Sequence, residues 1–458
     1  MSHQPAPQAP AGAPPATPRR GWIRYTVLAM LFVVTVINYA DRSTISIAGD
    51  DIQKSLGLDS KQLGFILSGF GWSYLVAQIP GGWLLDRFGA KRVYGWALFA
   101  WSAITALQGF IDFFTFLSPV FLFFILRLLV GVAEAPSFPG NASILASWFP
   151  SKERGRAVAL VNAAQYFGTV VFSPLMGWLV YSFGWQHVFW VVGAIGLLLS
   201  AVWLVTIYTP RRHPRLSPTE LEYMEKGGAL VDMERAVSNA SARIPLGTTL
   251  KRLGFLLRKR LTLGVFFGQY FLNSITWFFL TWFPVYLVQE RGMNILEAGF
   301  VAALPAICGF VGGVAGGALS DALRSRLSLS VARKIPMGVG LVMAVSIVAC
   351  NYIDTNWLIV MFMSIAFFGK GFGALGWVLV VDIAPTEFTG LTGSVFNTFG
   401  AIASISTPLI VGDIVDSTGS FELALLFIGA NALLAAGCFL LLTGKIRRLV
   451  APADTLLP

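Results

Sequence analysis

The stretch GGWLLDRFGAKRV, Gly81–Val93, stands between two apolar runs, 62–84 and 93–112. About 20 apolar residues cross the roughly 30 Å of hydrocarbon in a bilayer, and each run meets that length. The glycines, Gly82 and Gly89 among them, let helices approach closely. Asp86 is placed to cap or pair at a helix end, and Arg87, Lys91 and Arg92 are cations expected on the cytosolic face. A short charged turn between two membrane spans is therefore the local reading, and the same ruler extends it along the chain.

The composition agrees. Of 458 residues 55% are hydrophobic and 12% charged, against about 25% charged in a soluble domain. The net charge of +10 suits a membrane surface better than a nucleic acid once its placement is considered. Cys308, Cys350 and Cys438 all fall in apolar segments, which speaks for core packing and against disulfides or a metal site. Residues 1–20 are Pro- and Ala-rich without an apolar core, so they read as a disordered tail and not as a signal peptide.

Twelve spans are predicted: 22–48, 62–84, 93–112, 119–146, 157–181, 186–208, 261–288, 297–321, 334–353, 356–383, 389–415 and 421–443. At this length each is a helix, which makes an all-α membrane protein. With the amino terminus inside, the inner loops and tails hold 27 of the 33 Lys and Arg. The outer loops hold only Lys54, Lys61 and Arg291, so both termini are expected to be cytoplasmic. The polar stretch 209–256 separates two six-helix halves, 21–208 and 257–445, leaving a tail at 446–458. Within it SPTELEYMEKGGAL, with its Ser/Thr start and early Glu pair, predicts a short surface helix in a solvated linker. At an offset of 235 the halves echo each other: Gly64 with Gly299, Gly82 with Gly317, Asp86 with Asp321, Asn162 with Asn397 and Gly177 with Gly412. Related halves with a site at midplane are what many secondary transporters use.

A charge inside a span is costly and marks function by default. Five are found: Asp41 and Arg42 in span one, Arg127 and Glu134 in span four, and Lys370 in span ten. Asp41 and Arg42 could alternatively snorkel to the outer headgroups. Arg127 and Glu134, seven residues apart, share a helix face about 10.5 Å apart along the axis; they can pair with each other or each with span one. Glu134 and Asp41 are the proton-carrier candidates. Lys370 lies too deep to snorkel, in a Gly-rich helix, and calls for an anion; Asp382, twelve residues on, is a poor counter-ion.

The motifs NYADRSTISIAG, IPGGWLLDRFGAKRVY, LRLLVGVAEAPSFPGN, SWFPSKERGRA, WFFLTWFPVYLVQERGM and FFGKGFGALGW together resemble the anion:cation symporter family of the major facilitator superfamily. Within it the resemblance is greatest to the bacterial D-glucarate and galactarate permeases, over nearly the whole chain after residue 20. The resemblance implies the major facilitator fold and an inner-membrane, monomeric symporter without cofactor, using protons as coupling ion and a sugar-acid anion as substrate. It implies that Tyr39, Asp41 and Arg42 supply a substrate-binding arginine beside a protonatable carboxylate, and that Arg127 and Glu134 form the coupling pair. Tyr74, Gln165, Trp377 and Asn397 match positions lining the sugar-acid site, and Gly82, Asp86, Arg87, Gly89, Lys91 and Arg92 the gating motif. One departure bears on the cargo: related galactonate carriers have a neutral amide where this chain has Lys370, and hydroxyl side chains where it has Ala374 and Gly376. An added cation suits a second carboxylate, so a hexarate held between Arg42 and Lys370 is the expected cargo.

Other organic anions (a galactonate, a hexuronate or an aromatic acid) remain the alternative cargoes, and the residues alone do not choose protons over sodium. A membrane enzyme fits poorly: His3, His187 and His213 are scattered, and no Ser/His/Asp or phosphate-loop pattern is present. A flux-free sensor would need an output domain larger than either tail or the linker.

Overall fold

Long apolar runs with no water to compete for their backbone groups have one outlet, the α-helix. The computed structural model describes residues 22–114, 117–232 and 246–451, and among these it contains helices and no strand; the expected tail at 1–20 lies outside them, as does the side chain of Asp86. The long helices are α1 (Ile23–Ile47), α2 (Ser60–Phe88), α3 (Ala90–Gln108), α4 (Pro119–Trp148), α5 (Ser151–Phe183) and α6 (Gln186–Thr206). They continue with α7 (Arg260–Thr281), α8 (Ile295–Arg324), α9 (Leu329–Tyr352), α10 (Asn356–Ile383), α11 (Thr389–Thr418) and α12 (Glu422–Leu442).

Eleven of these, all but α3, are long and apolar enough to cross a membrane. The twelfth expected span is present as a helix but a more polar one. Lys91 and Arg92 lie in its first turn, Ser102, Thr105 and Gln108 in its second half, and it gives way to a 3₁₀ turn at Ile111–Phe113.

Packing repeats with a step of six helices. α1 lies on α5, α2 on α4 and α3 on α6; α7 lies on α11, α8 on α10 and α9 on α12. The first six helices meet the last six mainly along α2–α11 and α5–α8, again one contact and its counterpart. Glycines make these two seams possible. A Cβ on Gly64 would lie 2.6 Å from the Pro408 carbonyl oxygen and 3.1 Å from Gly412 Cα, and one on Gly177 would lie 2.8 Å from the Ile295 oxygen and 3.2 Å from Gly299 Cα. Gly64 and Gly299, like Gly177 and Gly412, are partners in the internal repeat, so the recurring glycines are where the two groups touch.

This tight end is the one remote from the linker. There Ser46 Oγ donates to the Thr281 carbonyl at 2.6 Å, Gln289 Nε2 donates to Asp50 and Gln53 at 3.0 and 2.9 Å, and Lys61 pairs with Asp413 at 2.8 Å. At the linker end the corresponding glycines, Gly82 with Gly317 and Gly155 with Gly390, have nothing within 4 Å of a built Cβ.

The linker is not merely solvated. Ser217 caps the helix Pro218–Lys226 through its Oγ, which accepts from Glu220 N at 3.2 Å. Glu220 and Met224 on that helix are buried, because Glu220 reaches Arg24 at 3.3 Å while Glu153 approaches the same guanidinium, also at 3.3 Å. The backbone joins in: Ser151 N donates to the Gly227 carbonyl and Leu230 N to that of Ala146, each at 2.9 Å. The second linker helix, Leu246–Arg258, instead buries Leu256 in a cluster with Phe388 and Ile446 at the base of the last six helices. Glu220→Ala removes one of the two carboxylates on Arg24 and with it the side-chain tie between the linker helix and α1. A loss of about 1–3 kcal/mol is expected, read as a lower apparent Tm in detergent and faster proteolysis of the linker.

Candidate functional site

α1 is the most enclosed of the eleven apolar spans: 61% of its best window is buried, against 28% for α5. Its Asp41 and Arg42 are 1% and 5% exposed, which places them inside the bundle and rules out snorkelling. Arg42 Nε donates to Glu134 Oε2 at 2.9 Å. The rest of its guanidinium lies among the rings of Phe70, Tyr39, Tyr74 and Phe138, at 4.7, 4.9, 5.1 and 5.8 Å. Buried cations gain from aromatic faces when water is absent. Asp41 Oδ1 accepts from Thr105 Oγ1 at 2.5 Å.

Arg127 is equally buried. Phe70 also faces its guanidinium, at 5.4 Å, and its Nε and Nη1 have no hydrogen-bond partner. Glu134 thus takes the arginine of α1 as its ion pair, not the one on its own helix. Seven-residue spacing puts Arg127 and Glu134 on one face, and the approach of α1 decides which cation gets the carboxylate. Several polar atoms retain bonding capacity: both amide atoms of Asn38, Asp41 Oδ2, Arg42 Nη2 and Glu134 Oε1.

Glu134 closes the first segment of α4, which breaks at Ala135–Pro136 and resumes at Ser137. Its counterpart six helices on, α10, breaks just after Lys370: the α-helix ends at Gly371 and a 3₁₀ turn runs over Phe372–Ala374. Both interrupted helices carry an ionisable group at the interruption. Lys370 is half-buried, with Nζ 5.0 Å from the Phe367 ring, and has no ion pair among the described residues. Asp382 belongs to Arg333, at 3.0 Å.

Of the other predicted residues, Asn397 Nδ2 donates to Gln78 Oε1 across the α2–α11 seam at 3.1 Å. Trp377 stands edge-on to Phe396, 4.9 Å between centroids, and is half exposed. Gln165 bonds to the Asn162 carbonyl of its own helix at 2.8 Å and to none of the charged group. Thr105, Phe70, Phe138 and Gln78 join the site without having been anticipated. Thr105 left a trace: Ser102, Thr105 and Gln108 recur every three residues on α3, and all are buried.

In the Gly81–Val93 turn, Gly89 joins α2 to α3 at a φ of +83°, where a side chain would be strained. Lys91 Nζ sits 3.5 Å over the Tyr208 ring, and Trp203 Nε1 donates to the Lys91 carbonyl at 2.9 Å. Arg87 lies over Trp83 and Phe88, and Arg92 is exposed. In the second half Arg333 gathers Ser320, Asp321 and Asp382 at 2.8, 3.5 and 3.0 Å.

Residues 31–408 match the family model described as Major Facilitator Superfamily. The chain belongs to that superfamily. As a major facilitator protein it is a multi-pass membrane transporter and not an enzyme, as the sequence motifs implied. It is 54% identical over 429 residues to a protein of Bacillus subtilis named as a probable galactarate/D-glucarate transporter, covering 93% of each chain. It is 53% identical over 427 residues to one of the same description from Escherichia coli K12, covering 93% of this chain and 96% of that one. Among solved structures, a bacterial homologue of the human lysosomal transporter Spinster, inward-facing and unoccupied, superposes with a TM-score of 0.69 at 18% identity. That match covers 92% of this chain and 97% of the other, and establishes the major facilitator fold.

Proposed function

We propose that this protein imports a sugar diacid, D-glucarate or galactarate, across a bacterial inner membrane by proton symport. In this reading α3 crosses the membrane as the twelfth span, the linker end and both termini are cytoplasmic, and 21–208 and 257–445 are the two halves that rock as one monomeric machine. No cofactor takes part.

The observation that carries the reading is a cation in each group of six helices, Arg42 on α1 and Lys370 on α10. Arg42 is neutralised by Glu134, whereas Lys370 has no anion of its own among the described residues. A proton on Glu134 weakens its hold on Arg42, which then accepts one carboxylate of the substrate while Lys370 takes the other. Tyr39, Tyr74, Gln165, Trp377 and Asn397 are assigned to the hydroxyls and carbon chain, and Asp41, held by Thr105, is the second proton site.

Charge supports two protons. Arg42, Arg127 and Lys370 against Asp41 and Glu134 leave one positive charge in the empty site. Two protons and a dianion leave the same one positive charge, so loaded and empty forms cross on equal electrostatic terms. A dianion alone would oppose a negative-inside potential at about 2.3 kcal/mol per charge per 100 mV.

The experiment is uptake of radiolabelled D-glucarate into proteoliposomes under an imposed pH gradient. Gradient-dependent accumulation supports the assignment; no glucarate uptake, with galactonate carried instead, moves the cargo to the aldonate alternative. Glu134→Gln, which cannot hold a charge, is expected to keep substrate counterflow but lose gradient-driven accumulation. Arg42→Ala is expected to lose both, because it removes the carboxylate anchor and leaves Glu134 buried without its partner, a change that typically costs about 3–5 kcal/mol.

A further inference from the structure

On the face of α4 turned away from the charged residues, a groove of about 500 Å³ runs between α2, α3 and α4. Its walls are Phe88 on α2, Trp96 and Ala100 on α3, and Val132 and Pro136 on α4. Phe88, Trp96 and Val132 are each at least half exposed. Arg127, Gly131 and Glu134 share the face of α4 turned toward Phe70 on α2 and Arg42 on α1, whereas Val132 belongs to the opposite side and is exposed. The volume is that of a pocket for a small lipophilic ligand.

Among the described lining residues Arg92, at the linker end of the groove, is the one that carries a charge. From Arg92 to Ala100 the groove follows α3 for about 12 Å at 1.5 Å per residue, the reach of the inner part of an acyl chain. Arg87, over Trp83 and Phe88 at 5.2 and 5.4 Å, adds a second cation beside the same mouth. Lys91 faces away, onto Tyr208.

We infer that the groove is a binding site for one anionic glycerophospholipid of the leaflet at the linker end, with its phosphate on Arg92 and one acyl chain along α3 to Ala100. A chain seated there lies against Pro136, two residues beyond Glu134, so it braces the break in α4 from behind.

The test is native mass spectrometry of the full-length transporter, purified from membranes and titrated with phosphatidylglycerol or phosphatidylethanolamine. Wild type is expected to retain one phosphatidylglycerol in preference to phosphatidylethanolamine. Arg92→Gln is expected to erase that preference by about fivefold, the worth of one basic residue at an anionic lipid surface. Ala100→Trp, which fills the groove, is expected to lose the tightly held lipid of either headgroup, whereas Leu198→Trp on the exposed face of α6 changes nothing. Equal retention of both lipids by wild type, or an unchanged lipid complement in Arg92→Gln and Ala100→Trp, overturns the proposal.

Discussion

Replacing Lys370 by alanine is expected to weaken concentrative uptake of D-glucarate severely while leaving the protein folded. Lys370 has no ion pair among the described residues, so its removal strands no anion, and α10 loses a side chain whose ammonium lies 5.0 Å from the Phe367 ring. What is lost is one charge-assisted contact to a carboxylate, worth about 1.5–3 kcal/mol, or roughly 10- to 150-fold in affinity. The variant should also lose its discrimination: a monocarboxylate competitor such as galactonate, weak against wild type, should compete on nearly equal terms. Lys370→Arg should recover part of the affinity because the charge returns. Wild-type glucarate uptake in Lys370→Ala, with the same resistance to galactonate, would return this lysine to a structural role and leave the transporter reading intact.

The second large effect is expected at Gly64. A Cβ there falls 2.6 Å from the Pro408 carbonyl oxygen and 3.1 Å from Gly412 Cα, both backbone atoms that cannot swing aside. Overpacking of this kind costs about 1–3 kcal/mol, enough to shift a balanced two-state equilibrium by roughly 5- to 150-fold. Gly64→Val should therefore hold the end remote from the linker open and stall the transport cycle. Ser404→Cys reports this: Ser404 is buried against Gly71 on the same seam, and an impermeant thiol reagent should reach it from outside in Gly64→Val but hardly in the parent. Gly82→Val, whose Cβ meets nothing within 4 Å, should leave that labelling low. Equal labelling in all three would mean that the glycine seam does not control access.

Much of this was legible in the sequence, and for identifiable reasons. Span positions follow from hydropathy, because lipid leaves the backbone one solution; α3, expected over 93–112, forms a helix over Ala90–Gln108 even though polar residues that serve the interior dilute its apolar signal. Lys370 announced itself because a lone cation in an apolar helix is costly and has no local partner. The pairing of Glu134 did not, since two cations were within plausible reach and only the approach of α1 selects Arg42. Phe70 and Phe138 were hidden for the opposite reason: a phenylalanine in a membrane helix is ordinary until the structure brings a guanidinium onto its ring. The docked linker was missed because Glu220 reads as a solvated acid until Arg24, nearly 200 residues earlier, is placed beside it.

The rings around Arg42 have a kinetic meaning. An arginine freed from its carboxylate would normally swing, hydrate and have to be gathered again before it could grip a substrate. Here Tyr39, Phe70, Tyr74 and Phe138 surround the guanidinium, in contacts that do not draw on the charge of Glu134. Under the proposed function such a site is preorganised, so little binding energy would be spent on ordering it, and the wait of a cargo molecule would be set by the proton and not by the arginine.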